Sequence, residues 1–285
     1  MLQNILEILF RAFFVTDRTL PPGAKTAYPN KYQPDLLFAI ARSESRASYL
    51  SGELPFDGAD IWTAWELTWL QPGGLPVAAT AEITVPADSP NLIESKSLKL
   101  YLNSFAMSHF DDARAVEQRL DEDLSSRVGA SISVQIQMLE ETEANVVSRL
   151  PGICLDTLPA TPTTFETDAT LLKIDTGTNV EEDLHSHLLR SLCPVTGQPD
   201  IGSIAIHYGG PRIDHMSLLQ YIVSFREHKA FHEACVERMF VDILDRCRSE
   251  KLSIHARYQR RGGIDINPMR SNFRLEAENL RLWRQ

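Results

Sequence analysis

The chain repeats itself at a fixed offset. Shifted by 120 residues, it matches at Ser97/Ser217, Leu98/Leu218, Tyr101/Tyr221, Ser104/Ser224, Phe105/Phe225, Val116/Val236, Glu117/Glu237, Leu124/Leu244 and Ser133/Ser253. Leu102/Ile222, Leu120/Phe240, Ile132/Leu252 and Val134/Ile254 agree in character. Average residue usage would give roughly two identities by chance over this stretch. Amphipathic composition alone does not hold one offset through two helical patterns and a strand pattern. The repeat therefore predicts a duplicated supersecondary unit.

Each copy reads the same way. Residues 61–70 and 75–85 have strand character, with Gly73 and Gly74 at the turn between them. Residues 97–108 and 112–126 carry helical periodicity, and 130–139 alternate as a strand does. In the second copy, 202–210 read as a strand, 217–228 and 231–247 as helices, and 251–259 as a strand. The Thr-, Pro- and Asp-rich stretch from 150 to 180 reads as the connection. Strands, then helices, then a strand imply an α+β chain of two tandem modules, residues 1–150 and 151–285. Each is expected to be an antiparallel sheet with two helices packed on one face.

Charge and composition narrow the function. The 28 basic and 38 acidic residues give −10, a field that repels phosphate backbones and argues against a general nucleic-acid binder. Hydrophobic residues at 43% and charged residues at 23% are globular values, which excludes disordered and low-complexity classes. Cys154, Cys193, Cys235 and Cys247 show no C-x-x-C pairing, so neither a disulfide framework nor a zinc ribbon is indicated and a reducing cytoplasm is expected. Leu2, Leu6, Leu9 and Phe13 fall at helical spacing in a segment broken by Glu7 and Arg11. That segment is too short to cross a bilayer and reads as a peripheral amphipathic helix, with no membrane role.

The two copies differ in chemistry, which suggests a site assembled from both or between subunits. Cys193 opens a Pro/Gly-punctuated loop, C-P-V-T-G-Q-P-D; it is either a nucleophile or a small buried hydrophobe. Asp200 ends that loop as a proton donor or as turn chemistry. His232 and Glu233 open a helix, where they serve a site or merely cap and pack. Glu94 sits where strand turns to helix, ahead of Lys96 and Lys99; it is either a receptor for a guanine-like edge or part of a solvated charge run. Arg257, Arg260 and Arg261 precede two glycines and suit a phosphate, yet no G-x-G-x-x-G or P-loop pattern is present.

Four segments, VPADSPNLIESKSLKLYLNSF, LHSHLLRSLCPVTGQPDIGS, SFREHKAFHEACVERMF and RYQRRGGIDINPMRSN, resemble the NADPH-dependent 7-cyano-7-deazaguanine reductases, the nitrile reductases of queuosine biosynthesis. The E-S-K-S-x-K-x-Y-x-x-S-F block is the specific signature, and the match is to the long, two-module form. It runs from about Tyr28 onward, leaving the first twenty or so residues as an atypical extension. The resemblance implies two tandem tunnelling-fold modules, a homodimer, and reduction of a nitrile to a primary amine by two NADPH. It implies Cys193 as the nucleophile forming a covalent thioimide, Asp200 as the proton donor and His232 as an aid to proton transfer. Ile93, Glu94, Ser95, His232 and Glu233 would hold the 7-deazaguanine base; Ser95, Lys96, Arg261 and Gly262 would contact NADPH. No metal and no direct nucleic-acid contact are implied. Two rivals remain: a zinc hydrolase resembling GTP cyclohydrolase, with His185, His187 and Cys193 as ligands, and a non-catalytic purine- or pterin-binding module.

Overall fold

The computed structural model describes residues 28–140, 147–273 and 279–285. The reading of residues 2–13 as an amphipathic helix lies outside them. The chain is α+β. Its first half runs β1 (Ala39–Ala41), α1 (Arg42–Arg46), β2 (Asp57–Leu70), β3 (Pro76–Pro86), β4 (Asn91–Ile93), α2 (Ser95–Asn103), α3 (Ala113–Val128) and β5 (Ser133–Met138). Its second half runs β6 (Ile153–Cys154), β7 (Ile174–Leu192), β8 (Pro199–Ile213), α4 (His215–Ser224), α5 (His232–Cys247), β9 (Lys251–Tyr258) and β10 (Ile264–Ser271). The 120-residue offset carries β2 onto β7, β3 onto β8, α2 onto α4, α3 onto α5 and β5 onto β9.

The repeated residues build the same helix pair twice. Tyr101 Oη donates to Asp123 Oδ2 at 2.6 Å, and Tyr221 Oη donates to Asp242 Oδ2 at 2.8 Å. Ser104 and Ser224 each return a hydroxyl to the carbonyl of that tyrosine at 2.6 Å. Phe105 and Phe225 are fully buried beneath them. Three of the four long helices begin on a capping carboxylate, namely Glu94, Asp112 and Asp214. Strand alternation puts Val77, Ala79, Ala81, Ile83 and Val85 of β3 into the core beneath α2 and α3. Thr80 and Glu82 line the opposite, polar face with Gln135 and Gln137 of β5.

Two of the longer strands depart from the sequence reading, and the short β1, β4 and β6 are additional to it. β7 begins at Ile174, inside the stretch read as connection, because its first ten residues are largely solvent-facing and polar and leave no apolar alternation to see. β10, read as part of a basic loop, is a strand whose eight residues are all buried. It pairs antiparallel with β2 across its whole length and with β9 over Met269–Ser271. Instead of two separate sheets there is one eight-stranded sheet of order β5-β3-β2-β10-β9-β8-β7-β6. The sheet is antiparallel apart from the parallel β6–β7 pair. Ile264 and Ile266 of β10 accordingly pack in the hydrophobic cluster of the first half.

Charged side chains hold this seam. Arg270 of β10 is fully buried between Asp60 Oδ1 of β2 and Glu237 Oε1 of α5, at 2.8 Å from each. Glu237 also accepts from Arg46 Nε and Nη2 at 2.8 and 2.7 Å, and Arg42 pairs with Asp60 at 2.5 Å. Although burial opposes its charge, the flanking Arg270 and Arg46 guanidiniums hold the Glu237 carboxyl down at about 2. A depressed carboxyl adds stability above its unfolded value near 4.5, and that stability disappears as pH falls toward 2. Glu237→Gln is therefore expected to lose about 3 kcal/mol at neutral pH. Denaturation midpoints of the two proteins should converge between pH 4.5 and 2, and parallel curves would contradict the assignment.

Candidate active site

The seam opens on one side into a narrow cleft lined by both halves. Trp62, Ile93 and Ser95 come from the first half; Cys193, Pro194, Asp200, Phe231, His232, Glu233, Arg261 and Ile266 come from the second. One chain thus supplies both sides.

Local structure explains each placement. Cys193 begins the β7–β8 hairpin loop, which is closed by Cys193 N–H donating to Gln198 O and Gly197 N–H donating to Cys193 O, both at 2.9 Å. Gly197 takes the left-handed conformation this turn needs, at φ 69°. The end of β7 is tied to the segment entering α5, since Leu192 N–H donates to His228 O and Ala230 N–H donates to Leu192 O. That tie brings the Cys193 loop beside the start of α5. In the first half, Leu70 pairs in the same way with Ser108 and Phe110. Its loop reads Gln71-Pro72-Gly73-Gly74 and carries no nucleophile.

Divergence between the copies also frees the end of α5. The position equivalent to the capping Asp112 is His232, and α5 has no side-chain cap. Its N-cap residue, Phe231, offers no side-chain acceptor, so the positive end of the helix faces the cleft. The His232 ring stacks on Tyr258, centroids 3.9 Å apart. Its Nε2 lies 3.3 Å from Asp200 Oδ2, while Asp200 Oδ1 lies 2.9 Å from Arg261 Nη1. Neither nitrogen is in hydrogen-bond alignment. Asp200 is thus flanked by a cation and a histidine, beside a thiol.

Glu233 is the unusual group. Its side chain is buried and Oε1 has no partner. Burial first, and then the Asp60 carboxylate, push its carboxyl up to about 8 against the pull of Arg42 and Arg270. The Trp62 indole N–H is likewise buried without a partner. Two orphaned polar groups in one apolar-walled cleft call for a ligand carrying both donors and an acceptor.

The other predicted residues divide. Ile93 ends β4, which β1 holds in register, and Ser95 starts α2; both line the cleft. Glu94 is outside the lining: its carboxylate caps α2, accepting from Lys96 and Ser97 N–H at 2.9 and 2.7 Å. Lys96 is exposed. Gly262, at φ 64°, lies so close to Lys99 that a Cβ would stand 3.1 Å from the Lys99 Cδ. Lys99, left without a role by the sequence reading, is mostly buried next to the site. Burial and then Arg261 lower its affinity for a proton, while Glu94, Asp200 and Cys193 oppose them. Its spacing three residues beyond Lys96 was the available signal. The zinc-hydrolase rival needs correction. His185 and His187 do gather with a cysteine, but it is Cys154; Cys193 joins no such cluster among the described residues.

Comparison with known proteins fits this geometry. The family description "Nitrile reductase, 7-cyano-7-deazaguanine-reductase N-term" matches residues 28–136, and "QueF-like protein" matches 199–277. Proteins of Burkholderia cenocepacia (strain HI2424) and Burkholderia orbicola (strain MC0-3), each called NADPH-dependent 7-cyano-7-deazaguanine reductase, are 50% identical over 270 residues. That span covers 93% of this chain and 98% of theirs. The chain belongs to the 7-cyano-7-deazaguanine reductase family. Within that family's two matched segments lie Trp62, Ile93 and Ser95 on one side and Asp200, His232, Glu233 and Arg261 on the other.

Because burial and the Asp60 carboxylate favour the protonated Glu233 carboxyl, Glu233→Gln should fold with a thermal midpoint close to that of the native chain. Base affinity of the native chain should rise with pH up to about 8 as the carboxylate forms. In Glu233→Gln it should be flat, and weaker by about 1.5–3 kcal/mol from the lost charge-assisted bond. Titration calorimetry across that range checks both; identical pH profiles would remove Glu233 from base recognition.

Proposed function

We propose that this chain reduces the nitrile of 7-cyano-7-deazaguanine to the primary amine, 7-aminomethyl-7-deazaguanine, at the expense of two NADPH. The product would feed queuosine modification of tRNA by a separate enzyme. The observation that carries this reading is the Cys193 thiol sharing one cleft with Asp200, His232 and the unpartnered Glu233 carboxyl.

The planar base would lie between the walls formed by Trp62, Phe231, Ile93 and Ile266, which part to admit it. Its pyrimidine edge offers paired N–H donors, which Glu233 accepts. Glu94, outside the lining, would support the same edge by fixing the Ser95 end of α2. The Cys193 sulfur adds to the nitrile carbon, and Asp200 gives its proton to the nitrile nitrogen, forming a covalent thioimide. The Arg261 cation and the uncapped start of α5 would stabilise the negative charge that builds on the nitrile nitrogen during addition. NADPH supplies a hydride to the thioimide carbon and, after the carbon–sulfur bond breaks, a second to the imine. His232 returns a proton to Asp200 between the two. The apolar walls keep water from the imine, which would otherwise hydrolyse to an aldehyde.

The residues at the cleft mouth fit NADPH. Arg261 and Lys99 are cationic, and Gly262 leaves open backbone where a Cβ would crowd Lys99. Ser95, Lys96, Arg261 and Gly262 would hold the cosubstrate there. The remaining finer readings stand with this one: two tunnelling-fold modules divided near residue 150, a homodimer and a cytoplasmic location. Among the described residues, β5 and the two-residue β6 end the sheet with no further strand paired to them, which suits edge-to-edge assembly of two chains. All four cysteines are free, and no helix among the described residues is long and apolar enough to cross a membrane.

The purified chain should oxidise NADPH only when the nitrile is present, two equivalents per amine formed. Cys193→Ala should abolish that turnover while keeping base binding. Asp200→Asn should slow single-turnover reduction and leave base binding intact. Nitrile-dependent turnover by Cys193→Ala would remove the nucleophile, and loss of base binding in Asp200→Asn would remove the proton donor.

A further inference from the structure

Away from the Cys193 cleft, β6 and β7 bring three soft ligands together. Cys154, His185 and His187 each place a ligand atom within 4.8 Å of the others. Strand geometry produces the cluster. His185 and His187 are two apart on β7 and share a face, and Cys154 pairs in register with His185. Both rings are already oriented through Nδ1. That of His185 lies 2.8 Å from Pro151 O, and that of His187 lies 2.8 Å from Ser203 Oγ. Metal-bound histidines are characteristically fixed in this way through the ring nitrogen that does not ligate.

We propose that Cys154 Sγ, His185 Nε2 and His187 Nε2 bind a zinc ion. A thiolate and two neutral imidazoles are a borderline-soft donor set that zinc prefers over magnesium or calcium. Tetrahedral zinc would set these atoms roughly 3.3–3.8 Å apart, so about 1 Å of side-chain closure completes the site. The fourth position faces a separate cavity of about 920 Å³, lined in part by Arg149, Ser203, Trp283 and Arg284. Its two guanidiniums suit a hydroxide or another anion as the fourth ligand. None of the three protein ligands lines the Cys193 cleft. The ion staples the segment entering the second half onto β7, the strand whose far end leads to Cys193. This inference is independent of the reductase reading, because its readout is metal content and not turnover.

The full-length chain, purified without chelator, is assayed for zinc by mass spectrometry of elements. After metal removal it is titrated with cobalt(II) and the thiolate-to-cobalt absorption is followed. One zinc per chain and a charge-transfer band are expected. Cys154→Ser and His187→Gln should each lose both, with far-ultraviolet circular dichroism unchanged, while Cys193→Ala keeps both. Chelation should lower the thermal midpoint of the native chain and leave that of Cys154→Ser unmoved. A native chain that retains no zinc after incubation and dialysis, or a cobalt band that survives in Cys154→Ser, overturns the proposal.

Discussion

A fully buried arginine joins the two halves of the molecule. Arg270 comes from the strand that the second half inserts beside β2, and it meets one carboxylate from each half, Asp60 and Glu237. Such a group is costly to bury and tolerable only when it is paired and fully bonded. Its partners are therefore as constrained as the arginine itself. With Arg42 and Arg46 they lock α1, β2, β10 and α5 into one relative arrangement. Glu233 lies one helical turn before Glu237 on α5, so the network that closes the seam also fixes the carboxyl facing the cleft. The repulsion between Glu233 and Asp60 arises from the same arrangement.

Duplication followed by divergence accounts for the division of labour. Both halves keep the tyrosine–aspartate clamp between their helices, because that clamp closes each core. They differ where chemistry is needed. The first half caps α3 with Asp112, whereas the second places His232 there and has no side-chain cap. The first hairpin loop carries Gln71, Pro72 and two glycines, whereas the second is flanked by Cys193 and Asp200. The first half supplies Trp62, Ile93 and Ser95 to the cleft wall, and the second supplies Cys193, Asp200, His232, Glu233 and Arg261.

The offset repeat made the two ββααβ units legible, since apolar spacing and internal identity reported the same helices and strands. β10 was not legible. Asp265, Asn267, Pro268 and Arg270 make it read as a loop, and only tertiary partners make it a strand. Trp65 Nε1 donates to Asp265 at 2.5 Å, and Asn267 Oδ1 accepts the Tyr258 amide where the β9 ladder is open. Of the predicted site, Ile93, Ser95, Cys193, Asp200, His232, Glu233 and Arg261 meet in one cleft. Glu94 was readable as a carboxylate at a helix start, but its commitment to capping α2 depends on the backbone. The pairing of His185 and His187 with Cys154, instead of Cys193, depends on the parallel β6–β7 register, which no local pattern encodes.

The central claim is that one sulfur in this cleft bonds to the carbon of the nitrile before any reduction occurs. Intact-mass spectrometry of the chain mixed with 7-cyano-7-deazaguanine in the absence of NADPH tests it directly. A gain equal to one substrate per chain is expected, mapping to the peptide that contains Cys193. An unchanged mass, or an adduct on another residue, would contradict it.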